Sequence, residues 1–83
     1  MITVSFKSNP DNFKKEESGL KSNTVREIEM GDSRFDMLSD FPQLNMKIEI
    51  INSATGKKFI RLISDVTWFN NYVIISWKGV EEK

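Results

Sequence analysis

Apolar and polar residues alternate in several segments of the chain, and this alternation predicts strands. In the first segment Ile2, Val4 and Phe6 alternate with polar residues, as in a strand with one buried face. The second half of the chain continues with MKIEI, FIRLISDVTWF and YVIISWK. The loop NSATGKK joins the first two of these segments. A two-residue turn, Asn70-Asn71, joins the last two, because asparagine tolerates the positive φ of tight hairpins. The pattern therefore predicts a three-stranded meander.

A short helix is predicted directly after the first strand. Residues 10–18 follow Ser8 or Asn9, either of which is a suitable N-cap, and Pro10 fits the first turn of a helix. Gly19 is a typical C-terminal stop, because glycine adopts the left-handed conformation that often ends helices. These signals predict a helix over residues 10–18.

The charged residues 14–17 of this helix are predicted to form a solvated face. One further helical turn is predicted downstream, where Phe35, Leu38 and Phe41 recur at three-residue spacing before Pro42 ends the pattern. The segment TVREIEM between the two helices is predicted to be a second strand.

These elements together predict a mainly β (α+β) fold. It is a small curved sheet or barrel of about five or six strands with one or two short helices. A chain of 83 residues has room for one domain, residues 1–83, with a single compact core. The positions expected to anchor the helix or build the core are Phe13, Leu20, Ile48, Ile50, Ile60, Leu62, Val73 and Ile75.

Composition narrows the classes of function. The chain has no cysteine and no histidine, so a disulfide, a thiolate zinc site and histidine catalysis are excluded, and we expect neither a metal nor another cofactor. The absence of cysteine fits a reducing, cytoplasmic location. No segment approaches the roughly 18 apolar residues of a membrane span, and the N-terminus does not read as a secretion signal.

The formal net charge is zero and no polybasic tract is present. Binding that depends mainly on phosphate neutralisation needs an excess of Lys and Arg, so recognition of a long nucleic-acid backbone is disfavoured. If the domain binds a nucleic acid, we expect it to recognise a base, nucleoside or nucleotide in a pocket.

The segment SGLKSNTVRE concentrates candidate binding residues between the first helix and the second strand. Thr24 and Arg26 point to one face of an extended segment, and Lys21 lies just upstream. Gly19, Lys21, Thr24 and Arg26 match the G-x-K-x-x-T-x-R signature of ASCH domains, so the chain resembles this family of small β-barrels in the PUA-like superfamily. The resemblance implies binding of RNA, or of a base or nucleotide, in a cleft beside the motif. One aromatic residue near the Asn-Asn turn, Tyr72 or Trp68, is predicted at the rim of this site.

Some small members of the family are amidohydrolases that act on acylated cytidines, and the resemblance to them implies catalytic roles for Lys21 and Thr24. Those enzymes also use a downstream glutamate, which has no counterpart here: between Ile48 and Trp77 the only acidic residues are Glu49 and Asp65. A binding module is therefore favoured over a minimal amidohydrolase. A third alternative is a small interaction protein of phage or mobile-element origin that blocks a host protein partner.

Overall fold

The computed structural model describes residues 2–78, which form one curved sheet of five strands, curled into a half-barrel, and two short helices. This confirms the predicted mainly β (α+β) fold. In chain order the elements are β1 (Ile2–Ser8), α1 (Pro10–Ser18), β2 (Asn23–Glu27), α2 (Ser33–Leu38), β3 (Met46–Asn52), β4 (Lys58–Phe69) and β5 (Tyr72–Trp77).

The strand order across the sheet is β1-β3-β4-β5-β2. β3, β4 and β5 form the predicted antiparallel meander, β1 pairs with β3 in parallel, and β2 pairs with β5 in antiparallel fashion. The first two strands of the sequence are therefore the two edges of the sheet. We call the gap between the edges of β1 and β2 the seam.

The core lies on the concave side of the sheet. Four of the six core positions predicted on the meander are confirmed, since Ile48, Ile50, Val73 and Ile75 are fully buried. The prediction was wrong for Ile60 and Leu62, whose exposed fractions are 48% and 38%.

The register of β4 explains this difference. Ile60 pairs with Glu49 of β3, so both side chains lie on the convex face of the sheet, and the concave positions next to Ile60 and Leu62 belong to Phe59 and Ile63. A bulge between Ile63 and Asp65 then moves the concave positions from odd to even residue numbers. Simple alternation cannot describe a strand that contains such a bulge.

Helix α1 begins and ends as predicted. The Asn9 side chain is the N-cap and accepts a hydrogen bond of 2.8 Å from the backbone N–H of Asn12. Gly19 ends the helix in a left-handed conformation with φ of 89°. Phe13 is buried against the Phe59 ring, with 5.3 Å between the centroids. Capping and burial of one aromatic residue therefore fix this helix on the sheet.

The expectation that Leu20 anchors α1 was wrong, because its exposed fraction is 80%. The left-handed Gly19 turns the chain away from the helix, and Leu20 lies in the loop that follows. The predicted second helical turn is confirmed as α2, which buries Phe35 and Leu38. No helix within residues 2–78 is long and apolar enough to cross a membrane.

Candidate functional site

The motif residues surround the connection from α1 to β2. Gly19 is the C-cap of α1, Lys21 lies in the loop after it, and Thr24 and Arg26 belong to β2. Tyr72 begins β5, where it pairs with Glu27 of β2.

Thr24 and Arg26 occupy the concave face of β2, as the alternation predicts. Thr24 has an exposed fraction of only 3%, whereas Val25, between them, is exposed. β2 therefore directs the polar residues Thr24 and Arg26 inward and its valine outward, the reverse of an ordinary amphipathic strand. The reason is the position of β2 at the seam, where its inward side chains reach the edge of β1.

Arg26 crosses the seam and is held by three hydrogen bonds. Its Nε donates to Thr24 Oγ1 at 2.9 Å, its Nη1 to the Lys7 carbonyl at 2.6 Å and its Nη2 to Ser8 Oγ at 2.7 Å. Two of these acceptors belong to β1, so the side chain joins the two edges of the sheet. The orientation of the guanidinium is fixed by the fold.

A buried carboxylate, Glu16, continues this network. Its exposed fraction is 1%, Ser8 Oγ donates to its Oε1 at 2.9 Å, and Lys21 Nζ lies 4.0 Å from its Oε2. The prediction that residues 14–17 form a solvated face was therefore wrong for Glu16. It lies three residues after Phe13, and residues with this spacing share a helix face. The burial of Glu16 could therefore have been inferred from its position on the same helix face as Phe13.

The surroundings of Arg26 shift its pKa downward. Burial is the main cause, the positive charge of Arg34 adds to it, and the negative charge of Glu16 acts in the opposite direction. An arginine remains protonated despite such a shift. The motif therefore places a permanent, partly desolvated positive charge at the seam.

A cleft of about 610 Å³ opens at the seam. Its walls come from β1, β2, the loop after β2, α2 and the end of β3. They consist of Ser5, Phe6, Lys7, Val25, Arg26, Glu27, Glu29, Arg34, Phe35 and Ile51. Of the five predicted site residues, all within the described part of the chain, Arg26 alone lines this cleft. Lys21 and Thr24 lie behind it, beside Glu16 and the Arg26 side chain respectively.

A second arginine, Arg34 of α2, lines the cleft together with Arg26. Its carbon Cζ lies 4.3 Å from the centroid of the Phe6 ring, and Cζ of Arg26 lies 5.0 Å from the same centroid. Arg34 Nη1 donates to the Ser5 carbonyl at 2.7 Å, and its Nε donates to Asp32. Sequence analysis missed Arg34, because the contact that brings α2 to β1 has no local signal in the sequence.

Both arginines also protect the edge of β1. The carbonyls of Ser5 and Lys7 lie two residues apart on this edge strand, and each accepts a hydrogen bond from one guanidinium. An uncovered edge strand is a template for pairing with another chain, so capping of its carbonyls is a structural role in itself. An arginine has five N–H groups. Within residues 2–78, hydrogen bonds to the protein engage one N–H group on each of the three nitrogens of both Arg26 and Arg34, so two N–H groups of each arginine form no hydrogen bond there.

The ion pair of Arg34 makes a testable contribution to acid stability. The hydrogen bonds from Arg34 hold the pKa of Asp32 below the ordinary value of 3.8. The resulting stabilisation is fully present above that value, and it is lost as the pH falls through the lower pKa of the folded state. We expect Asp32→Asn to flatten the loss of stability between about pH 4 and pH 2 in urea titrations. Asparagine is as good an N-cap as aspartate, so the cap of α2 is retained. Parallel acid profiles for the two proteins would contradict this prediction.

Comparison of the chain with protein-family models, with curated proteins and with solved structures found no match. Within residues 2–78 no three His, Cys, Asp or Glu side chains are grouped so that they could hold a metal ion. The arginine pair and the cleft are therefore the features on which a functional proposal can rest.

Proposed function

We propose that the domain is a cytoplasmic ASCH-like module that binds a nucleotide or a short RNA segment in the cleft at the seam. The observation that carries this proposal is that two arginines, Arg26 and Arg34, line one cleft between the sheet edges, with both guanidinium groups against the Phe6 ring. The sequence motif supplies one of them.

The chemistry of the cleft supports a ligand that combines an anion with a polar ring. Guanidinium groups are well suited to phosphate oxygens, because their planar N–H groups form paired, charge-assisted hydrogen bonds. The volume of about 610 Å³ lies within the usual range for small-molecule sites, about 300–1,000 Å³. The carboxylates of Glu27 and Glu29 can accept hydrogen bonds from the exocyclic amino group of a base.

The rest of the motif has a supporting role in this proposal. Gly19 ends α1 so that the chain can turn into β2, and Thr24 accepts the Nε–H of Arg26. Lys21 balances the charge of Glu16, which otherwise lies buried beneath the seam. In this proposal the other motif residues position the Arg26 side chain, and Arg26 contacts the ligand.

Hydrolysis of an acylated cytidine is the less favoured alternative. Glu16 supplies a carboxylate near Lys21, but it precedes the motif, whereas the glutamate of those enzymes follows it. In addition, a nucleophilic Thr24 needs an open path to the substrate and a base to take its proton. Thr24 is buried, is outside the cleft walls and accepts a hydrogen bond from a cation, so its position favours a structural role.

The proposal is tested by replacing Arg34, which contributes less to the seam than Arg26 does. We expect Arg34→Ala to weaken binding of adenosine 5′-monophosphate by about tenfold or more, because a hydrogen bond to a charged group is worth about 1.5–3 kcal/mol. Isothermal titration calorimetry measures the change. Lys47→Ala, on the convex face of β3, removes one positive charge away from the cleft and should bind as the wild type does.

The result that would overturn the proposal is a wild-type protein that binds neither mononucleotides nor short RNA at millimolar concentration. Equal weakening by Arg34→Ala and Lys47→Ala would also count against it, because it would show that general charge, and not the cleft, controls the affinity.

A further inference from the structure

Arg26 and Arg34 line the same cleft and both contact the Phe6 ring. Their guanidinium carbons lie 5.0 Å and 4.3 Å from the centroid of one ring, that of Phe6. Each guanidinium is held by the fold through three of its nitrogens, so binding does not need to order a flexible side chain. Two N–H groups on each form no hydrogen bond within residues 2–78, so the two arginines together carry four further donors.

Four donors match a terminal phosphate better than an internal one. A phosphate monoester has three non-bridging oxygens and a charge between about −1.5 and −2 at neutral pH. An internal phosphodiester has two such oxygens and a single negative charge. A pair of fixed arginines therefore gains more from the monoester, in both charge and hydrogen bonds.

The acidic residues of the cleft disfavour an RNA strand whose phosphate backbone continues through it. Glu27 and Glu29 line the same cleft as the arginines, and the chain as a whole has no net charge. A second phosphate would lie in a region where these carboxylates repel it. The only other cation in the wall is Lys7, on the opposite edge of the seam. In the described cleft wall the positive charge is thus carried by Arg26 and Arg34, with Lys7 across the seam.

We infer that this cleft recognises a terminal phosphate monoester, carried either by a mononucleotide or by the end of an RNA strand. Arg26 and Arg34 hold the phosphate between them, and Glu27 and Glu29 accept hydrogen bonds from the base. Internal RNA phosphates are excluded. The inference rests on the proposed function, and it narrows the ligand to molecules with a terminal phosphate.

The first experiment compares three probes by calorimetry at pH 7.5: adenosine, adenosine 5′-monophosphate and the methyl ester of that monophosphate. We expect the monophosphate to bind at least about tenfold more tightly than either of the others. Its affinity should also rise between about pH 5.5 and pH 7.5, because the second phosphate pKa is about 6. The methyl ester lacks this ionisation and should show no such rise.

Two further comparisons sharpen the test. A pentanucleotide with a 5′-phosphate and the same strand with a 5′-hydroxyl distinguish an RNA end from a free mononucleotide as the preferred source of the phosphate. Arg34→Lys keeps the charge but loses the planar arrangement of donors, so it should reduce the preference for the monoester over the methyl ester. Lys47→Ala should leave that preference unchanged.

The outcomes separate this inference from the proposed function. Equal affinity for adenosine and its monophosphate, or for the monophosphate and its methyl ester, would overturn the terminal-phosphate inference while the nucleotide-binding proposal stands. Failure of every probe, including both pentanucleotides, would overturn both. Preference for the monoester with the expected pH dependence would support both.

Discussion

Replacing Ile50 with alanine is expected to destabilise the domain by about 2–5 kcal/mol, the range for a fully buried isoleucine. Ile50 lies on β3, between β1 and β4, and has no exposed surface. Small domains have little stability to spare, so this loss is a large part of the total free energy of unfolding. Urea denaturation followed by tryptophan fluorescence measures the change.

Ile60→Ala is the matched control for this experiment. It removes the same atoms from the adjacent strand, but from the convex face, where about half of the side chain is already exposed. We expect a change near 0.5 kcal/mol, as for most surface substitutions. Similar losses for Ile50→Ala and Ile60→Ala would show that the register of β4, and with it the position of the core, is wrong.

Arg26→Ala is expected to have the second-largest effect, even though arginine is usually a surface residue. The variant removes the bond to the Lys7 carbonyl across the seam and the donors to two buried hydroxyls. Ser8 still donates to Glu16, whereas Thr24 loses its side-chain partner. A buried polar group left without a partner costs about 1–3 kcal/mol. We therefore expect a clear fall in melting temperature, measured by circular dichroism, together with loss of ligand binding.

Lys21→Ala is the control for Arg26→Ala, because it removes a positive charge from the same network without removing a short hydrogen bond. Its Nζ lies 4.0 Å from Glu16 and the side chain is partly exposed, so we expect a smaller loss of stability. An Arg26→Ala protein that melts at the wild-type temperature would contradict the role of Arg26 in closing the seam.

The sequence predicted the features that depend on neighbouring residues. The limits of α1 follow from the Asn9 cap and the left-handed Gly19, and the β4–β5 hairpin follows from Asn70, whose φ is 53°. Each of these signals acts within a few residues of the chain. The same holds for the alternation that correctly put Thr24 and Arg26 on one face of β2.

The features that the sequence did not predict depend on contacts between distant segments. The burial of Glu16 depends on Ser8, and the position of Arg34 depends on the edge of β1, 29 residues earlier in the chain. The error at Ile60 has a different cause. Segment FIRLI has apolar residues in consecutive positions, so its buried face is decided by pairing with β3 and by the bulge after Ile63. Neither of these can be derived from alternation alone.

The sheet order also predicts the order in which the strands pair during folding. β3, β4 and β5 are consecutive in the chain, so their pairing closes only short loops. β1 and β2, by contrast, each pair with a strand more than 40 residues away. We therefore expect the meander to be structured in the transition state and the two edge strands to join it afterwards. The hydrogen bonds across the seam then form after the transition state. Arg26→Ala should therefore accelerate unfolding in stopped-flow experiments while leaving the folding rate almost unchanged.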